Sequence, residues 1–261
     1  MNLDALLAVA REAADAGAAE LVAKFRGPLN INTKSSEADY VTDADLASEK
    51  AVREALARLR PGDTVTGEEY DLTGSAASEI YWSIDPLDGT VNFARGLPNW
   101  AVAIGAKDIA TGQWVVGVVH APMLGVTYFA RSGGGAFAER AGVATRLNGP
   151  VERSTKIVAT GFSYSQEDRL RQFARLAELM PNFVDVRRLG AASLDMCAVA
   201  EGTIDAYYEA GIKEWDWAGA MVVAEEAGLH VVRPRFAGDL GAVARDTSLF
   251  TDAFARDSIA E

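Results

Sequence analysis

Residues 82–93 read WSIDPLDGTVNF, and this run is the most informative stretch of the chain. An apolar segment typical of a β-strand leads into Asp85, where the strand is predicted to end. Pro86 fixes its own φ and has no N–H, which predicts an extended turn. The following Asp88-Gly89-Thr90 is typical of a helix start, where free N–H groups and the positive end of the helix dipole favour anions such as phosphate.

The two carboxylates of this run, Asp85 and Asp88, are close together along the chain. Carboxylates crowded beside an anion-binding helix start repel one another unless a cation lies between them. Mg²⁺ suits such oxygen ligands, and a substrate phosphate is its usual additional ligand. The alternative interpretation is that both residues only shape a turn and cap a helix, as Asp often does.

Two further acidic segments also follow or begin apolar stretches. Gly67-Glu68-Glu69 follows a short β-like segment, and Asp216 lies between Trp215 and Trp217 at the start of an apolar helical run. A carboxylate beside Trp is costly to bury unless it is paired or bound to a metal. We therefore predict that the three acidic segments converge on one pocket.

The composition is that of an ordinary globular protein of 261 residues, with 49% hydrophobic and 24% charged residues. A formal net charge of −12 argues against nucleic acid or an anionic membrane as the main partner. The single cysteine, Cys197, excludes an internal disulfide and fits a reducing cytoplasm. The first residues lack the features of a signal peptide, and no stretch is long enough to span a membrane. We expect a cytoplasmic protein.

Hydrophobic periodicity and capping patterns predict the order of helices and strands. A helix is expected over 3–25, and a second one is expected to begin at Thr42 and to end before Pro61. Strands are then predicted at 100–108, 113–120 and 126–130. After Gly149 the pattern alternates between strands at 156–160, 183–187, 204–208 and 229–232 and helices at 168–180, 191–200 and 216–227.

Two glycine-rich segments, 133–135 and 148–150, are the candidate boundaries within the chain. We expect an N-terminal α+β half over 1–149 and a C-terminal α/β half over 150–261, forming one compact unit. In the second half, helix 168–180 is expected to carry Leu170, Phe173 and Ala177 on one face. An antiparallel meander followed by α/β units predicts a layered sandwich with two sheets.

The motifs together resemble those of the inositol monophosphatases, a family within the Mg²⁺-dependent, lithium-sensitive phosphomonoesterases. The family signature W-x-I-D-P-x-D-G-T-x-N-F matches residues 82–93 throughout, and G-E-E and W-D-x-A-G match 67–69 and 215–219. Further matches occur in order at 34–36, 39–45, 188–192 and 205–209. The resemblance implies an α/β (α+β) fold with alternating α-β-α-β-α layers and a metal site between its halves.

The resemblance also implies roles for individual residues. Two or three Mg²⁺ ions would be held by the Leu87 carbonyl and by the side chains of Glu68, Asp85, Asp88 and Asp216. A metal-activated water would be oriented and deprotonated by Glu68, Thr90 and Asp45. The substrate would contact Gly89, Thr90, Gly190, Ala191, Ala192 and Glu209, with Lys34 and Arg188 as possible further contacts.

The expected function is hydrolysis of a small phosphomonoester, and inositol monophosphate is the main candidate substrate. The expected assembly is a homodimer. Histidinol phosphate stays open, because Glu209 could meet an ammonium group as well as a hydroxyl. Fructose 1,6-bisphosphate and a nucleotide 3′-phosphate follow as further alternatives. A different alternative is a binding partner of the transcription machinery, as some family members are. The intact set of acids with Thr90 favours an enzyme, and only two histidines argue against a histidine-based site.

Overall fold

The structure, a computed structural model, describes residues 1–33, 40–75, 77–236 and 238–250. Within these ranges the helices are α1 (Leu3–Lys24), α2 (Asp43–Leu59), α3 (Thr90–Ala94), α4 (Gln166–Leu179), α5 (Ala192–Glu201) and α6 (Glu214–Glu226). A small antiparallel sheet pairs β1 (Ile31–Thr33) with β2 (Tyr40–Thr42). The predicted start of α2 is confirmed, because Thr42 caps it and Asp45 completes a capping box.

The first large sheet has seven strands that lie side by side in chain order. They are β3 (Thr64–Gly67), β4 (Ile80–Asp88), β5 (Ala101–Asp108), β6 (Trp114–Ala121), β7 (Val126–Arg131), β8 (Gly135–Arg140) and β9 (Val143–Arg146). The pair β3 and β4 is parallel, and the neighbouring pairs from β4 to β9 are antiparallel. The sheet is therefore a meander that carries β4, the strand of the signature run, near one edge.

The second large sheet has five strands from the later part of the chain. They are β10 (Ile157–Ala159), β11 (Asp185–Arg187), β12 (Ala206–Ala210), β13 (His230–Val232) and β14 (Leu240–Ala244). Their spatial order is β11-β10-β12-β14-β13. The first three strands are mutually parallel and are connected through α4 and α5, whereas β14 runs antiparallel to both of its neighbours.

Helices form three layers around the two sheets. The pair α1 and α2 covers one face of the seven-stranded sheet, in a core that includes Leu21 and Trp82. The pair α5 and α6 packs between the sheets, where Met221 is fully buried. On the far side of the five-stranded sheet, α4 contributes Leu176 and Leu179 to a separate core. The predicted α-β-α-β-α sandwich is confirmed by this arrangement.

The expectation that the signature strand ends at Asp85 is wrong. Strand β4 continues to Asp88, and its pairing with β5 shifts register between these two residues. Asp85 faces Ala103 and Asp88 faces Ala101, so β4 holds one residue more than its partner. This is a β-bulge at Pro86, where a strand can tolerate a residue that has no N–H to donate.

The apolar face formed by Leu170, Phe173 and Ala177 on α4 is not the face that packs against the sheet. Leu170 and Phe173 are 65% and 51% exposed, and Ala177 is exposed as well. The residues that α4 buries are Leu176 and Leu179, three positions apart near its C-terminal end. Apolar residues occur on more than one side of this helix, so periodicity alone did not identify the side that meets the sheet.

The glycine segment 133–135 is a tight turn within one sheet and no boundary, because it joins β7 to β8. Strands β8 and β9 were not predicted, and neither was β14. In the seven-stranded sheet, β9 is an exposed edge strand with polar residues, so it lacks the hydrophobic alternation on which strand prediction rests.

Candidate active site

A cavity of about 450 Å³ lies where β4, the starts of α5 and α6, and the loops after β10 and β12 meet. Its walls include these predicted site residues: Glu68, Asp85, Leu87, Asp88, Gly89, Thr90, Arg188, Gly190, Ala191, Ala192, Glu209 and Asp216. Asp45 is fully buried and contacts Thr90 from outside the cavity wall. Lys34 lies outside the described residues.

Three carboxylates form the centre of this site. One oxygen each of Asp85, Asp88 and Asp216 lies within 4.8 Å of the other two, and the first two residues are buried. Burial is the main cause that raises the pKa of Asp85 well above its usual range, followed by the nearby charges of Glu68, Asp88 and Asp216. Burial likewise raises the pKa of Asp216, with Asp88 as the next cause. Such a group favours protons or a bound cation.

This donor set fits a hard divalent cation. Carboxylate oxygens in mutual proximity, beside the backbone carbonyl of Leu87, are the ligand type that Mg²⁺ prefers. A cation between them would reverse the local field and offset both the cost of burying these charges and their mutual repulsion. Glu68, at the end of β3, adds a further carboxylate to the same wall of the cavity.

The β-bulge explains how two acids of one strand reach the same side. In a regular strand, residues three apart point to opposite faces of the sheet. The extra residue between Asp85 and Asp88 cancels that alternation, so both carboxylates join the cluster. The Leu87 N–H donates to Asp85 Oδ1 at 3.0 Å, and the Ser48 hydroxyl donates to the Pro86 carbonyl at 2.8 Å. These bonds hold the bulge in place.

Asp88 links the acid cluster to α5. It accepts hydrogen bonds from the Ala192 N–H at 3.1 Å, from the Ser193 N–H at 2.7 Å and from the Ser193 hydroxyl. The residue before this helix, Ala191, has no side chain that could cap it, so Asp88 acts as a cap from a distant strand. Burial still raises the pKa of Asp88 against these bonds. Ser193 was not predicted as a site residue.

Thr90 and Asp45 are arranged as the family resemblance implies. The Thr90 Oγ1 atom lies 3.1 Å from Asp45 Oδ1 and 3.0 Å from the Leu87 carbonyl oxygen. The other carboxylate oxygen of Asp45 accepts from the N–H and the hydroxyl of Thr42 at 2.8 and 2.6 Å. The capping box of α2 therefore fixes Asp45, which in turn can orient the Thr90 hydroxyl.

A buried glutamate that sequence reasoning missed shapes the loop that carries Glu68. Glu49 is fully buried, pairs with Arg53 at 2.8 Å and accepts from the Glu69 N–H at 2.8 Å. A Cβ atom on Gly67 would lie 2.1 Å from Glu49 Oε1, so a larger residue there would have to displace the hydrogen-bonded Glu49 carboxylate. The spacing of Glu49 and Arg53 is the common i,i+4 pair of a solvated helix, which is why it gave no functional signal.

Glu209 lines the same cavity as the acid cluster. It accepts a hydrogen bond from the Tyr207 hydroxyl at 3.0 Å. Burial raises its pKa to about 7, while Tyr207 and Arg188 act in the opposite direction. At neutral pH this carboxyl can therefore exist in both protonation states, as a hydrogen-bond acceptor or as a donor.

Gly161 leaves the space that Glu209 occupies, since a Cβ there would lie 2.1 Å from Glu209 Oε2. We expect Gly161→Ala to displace this carboxylate and to raise KM for a polyol phosphate by roughly tenfold, the value of one good hydrogen bond. Hydrolysis of p-nitrophenyl phosphate should stay within about threefold of wild type, because that leaving group has no hydroxyl for Glu209. Steady-state kinetics on both substrates would test this. An equal change in the kinetics on both substrates would mean that Gly161 supports the structure of the whole site and not the position of Glu209 alone.

Comparison with known proteins agrees with this geometry. The model of the inositol monophosphatase family matches residues 2–249, and the chain belongs to that family. It is 42% identical to an inositol-1-monophosphatase of Mycobacterium bovis over 216 residues, which are 80% of this chain and 74% of the relative. It is 37% identical to the Nus factor SuhB of Pasteurella multocida over 204 residues, covering 78% and 74%.

A solved structure shares the fold over nearly its whole length. The extragenic suppressor protein suhB of Bartonella henselae superposes with a TM-score of 0.84 at 28% identity, covering 95% of this chain and 96% of that one. In the ranges that the structure describes, none of the helices combines the length and the apolar character needed to cross a membrane.

Proposed function

We propose that the protein is a Mg²⁺-dependent phosphomonoesterase whose main substrate is inositol monophosphate. The observation that carries the proposal is the buried cluster of Asp85, Asp88 and Asp216 at the wall of a cavity large enough for a sugar-sized ligand. Without a cation such a cluster would repel a phosphate dianion. Members of this family depend on Mg²⁺ in general, which supports the choice of ion.

When bound, Mg²⁺ would neutralise the phosphoryl charge and acidify a water molecule. The chain's own residues would position the reactants. Glu68 would accept the proton of the attacking water, and the Thr90 hydroxyl, held by Asp45, would orient that water. The backbone N–H groups of Gly89 and Thr90 would hold the phosphoryl oxygens. The water oxygen would bond to phosphorus as the ester P–O bond breaks, the leaving alkoxide would take a proton from solvent water, and Glu68 would return its proton to solvent.

The choice of substrate rests on the leaving-group side of the cavity. Gly190, Ala191 and Ala192 offer backbone groups there, and Glu209 offers a carboxyl. A relative at 42% identity named inositol-1-monophosphatase supports a polyol leaving group. Phosphate release across inositol 1-phosphate, histidinol phosphate, fructose 1,6-bisphosphate and adenosine 3′,5′-bisphosphate would test it. The highest kcat/KM is expected on inositol 1-phosphate, and no release from any of them would refute the proposal.

Glu209→Ala is expected to weaken use of the true substrate and to spare a generic one. A charged hydrogen bond to a substrate hydroxyl is worth about 1.5–3 kcal/mol, so kcat/KM should fall roughly tenfold to a hundredfold. Glu209→Gln keeps an acceptor for a hydroxyl and loses the charge that would pair with an ammonium group, so it should preserve inositol phosphate use better than histidinol phosphate use. Equal losses on p-nitrophenyl phosphate would move Glu209 into the reacting centre.

The pKa of Glu209 also predicts a pH-dependent stability. It rises from 4.5 to about 7 on folding, so in this range the folded protein holds a proton that the unfolded chain has released. The free energy of unfolding contributed by this group therefore falls as the pH rises from about 4.5 to about 7. The side chain of Glu209→Gln does not titrate. The melting temperature of this variant minus that of wild type should therefore increase as the pH rises through this window and stay constant above it. Thermal unfolding in EDTA at several pH values would measure the difference, and a constant difference would refute a buried carboxyl here.

A second candidate function is a role as a partner of the transcription machinery. It is favoured by a relative at 37% identity that carries the name Nus factor SuhB. A pure interaction module has no need of the acid cluster, so Asp85→Asn should lower phosphate release at least ~10²-fold and leave such binding unchanged. Pulldown with purified transcription components beside a phosphate-release assay would separate the two functions.

We also propose a cytoplasmic homodimer. The cytoplasm is supported by the single cysteine, Cys197, which is buried and unpaired. The dimer is supported by the family resemblance. Light scattering coupled to size-exclusion chromatography should give about twice the chain mass of 27.7 kDa, and a monomer over the whole accessible concentration range would refute it.

A further inference from the structure

Asp195 is an acidic residue of the cavity to which the family motifs assign no role. It lies in the first turn of α5 and is only 1% exposed, yet it lines the cavity. Ala191 and Ala192 stand four and three positions before it, so these residues share one face of the helix. All three residues line the cavity, so this face of the helix forms part of its wall.

The Asp195 carboxylate differs from the other acids around it in its hydrogen bonding. Its Oδ1 atom is buried and accepts no hydrogen bond from any residue that the structure describes. By contrast, Asp85 and Asp216 each accept from a backbone N–H, Asp88 accepts from α5, and Glu209 accepts from a tyrosine. A buried oxygen left without a donor costs about 1–3 kcal/mol, so such a group calls for a specific reason.

Capping of α5 does not supply that reason. Asp88 already accepts from the first N–H groups of this helix, at Ala192 and Ser193. Asp195 would thus add a second carboxylate near a helix end that is already neutralised. Its environment opposes the charge: burial first, then the Glu209 and Asp88 carboxylates, raise the pKa of Asp195 well above its usual range, with Arg188 acting the other way.

We propose that Asp195 is a specificity-determining residue that forms, together with Glu209, a two-carboxyl recognition site for a leaving group bearing two hydrogen-bond donors. The inference rests on the proposed phosphatase function and extends it to a residue outside the family motifs. A polyhydric alcohol satisfies both carboxyls at once, whereas a phenol satisfies neither. The cavity gains selectivity because an ill-matched leaving group leaves buried polar groups unpaired.

Two substitutions of Asp195 test this. Asp195→Leu removes both acceptors at similar size, and Asp195→Asn keeps one acceptor and removes the charge. We expect Asp195→Leu to lower kcat/KM for inositol 1-phosphate roughly tenfold to a hundredfold and to change that for p-nitrophenyl phosphate less than about threefold. Asp195→Asn should keep most of the activity on inositol 1-phosphate, because its amide oxygen can still accept a hydrogen bond from a hydroxyl.

Two measurements that do not depend on turnover accompany the kinetics. The melting temperature of Asp195→Leu should equal or exceed that of wild type, because the variant no longer buries an unpaired carboxyl. Calorimetry with myo-inositol alone should show binding to wild type that is weakened at least about tenfold in Asp195→Leu. Asp15→Asn, an exposed change on α1, is the matched control and should behave as wild type in all assays.

The outcomes separate this inference from the proposed function. Release of phosphate by wild type together with unchanged kinetics in Asp195→Leu would overturn the role of Asp195 alone. A lower melting temperature, or equal losses on both substrates, would assign Asp195 a structural role and overturn the inference as well. A wild-type protein that hydrolyses no phosphomonoester would refute the proposed function itself.

Discussion

Asp85→Asn is expected to lower the turnover of phosphate release at least ~10²-fold, the scale seen when one electrostatic group of an active site is removed. Asp85 is buried at the centre of the acid cluster and has Glu68, Asp88 and Asp216 as charged neighbours. Asparagine preserves the shape of the side chain and its acceptor for the Leu87 N–H, so the bulge should survive. The charge that would bind Mg²⁺ is reduced, and affinity for the ion should fall with turnover.

The folded state should tolerate this substitution. Removing one of several mutually repelling carboxylates relieves unfavourable electrostatics, so the melting temperature in EDTA should equal or exceed that of wild type. Asp15→Asn changes the same residue type at an exposed position of α1 and serves as the control for both assays. Near wild-type turnover in Asp85→Asn would place the reacting centre elsewhere, and a collapse of the fold would make Asp85 a structural residue.

Thr90→Ala is the second substitution with a large expected effect, a loss of at least ~10²-fold in turnover, as for a group that takes part in proton transfer. The Thr90 hydroxyl lies between Asp45 Oδ1 and the Leu87 carbonyl, at 3.1 and 3.0 Å. Alanine removes the hydroxyl and leaves the acid cluster intact. Mg²⁺ affinity should therefore change little, which distinguishes this variant from Asp85→Asn.

Thr90→Ser is the matched control, because it keeps the hydroxyl and removes only a methyl group. We expect it to retain most of the activity. The turnover of Asp45→Asn should lie between those of Thr90→Ala and Thr90→Ser. The asparagine amide can still hydrogen-bond to the Thr90 hydroxyl, but the negative charge that orients this hydroxyl is gone. Steady-state kinetics with saturating Mg²⁺ would compare the three. A serine variant as impaired as the alanine one would mean that packing, and not the hydroxyl, explains the loss.

Local signals in the sequence were sufficient for much of the fold. The start of α2 was predictable because the capping box of Thr42 and Asp45 depends on residues three apart. The continuation of β4 past Asp85 was not predictable from the sequence. The bulge depends on how β4 pairs with β5, and this pairing register is a property of the tertiary structure. The buried face of α4 was not predictable either, because it is set by the packing of the helix against the sheet.

The candidate site divides in a similar way. Acids that stand at the ends of apolar segments, such as Asp85 and Asp216, were found from their unusual surroundings and from family motifs. Glu49, Ser193 and Asp195 were missed because each is a single polar residue in a helix, without a spacing that indicates chemistry. Only the tertiary structure brings them next to the Glu68 loop, to Asp88 and to the cavity wall.

The bulge and the α5 cap together couple the two sides of the cavity. The bulge turns Asp88 toward the acid cluster, and Asp88 also accepts hydrogen bonds from the N-terminal end of α5, through Ala192 and Ser193. Ala191 directly precedes this helix, Asp195 lies in its first turn, and both residues line the cavity. We therefore expect a displacement of Asp88 to shift the start of α5 and, with it, the cavity wall.

The most direct test of the account is the Mg²⁺ dependence of phosphate release. Protein dialysed against EDTA and then assayed on inositol 1-phosphate over a Mg²⁺ titration should be inactive at the start and should regain activity saturably as the ion is added. This is the predicted result, because the clustered carboxylates repel a phosphate dianion until a cation is bound. Undiminished turnover in excess EDTA would contradict it.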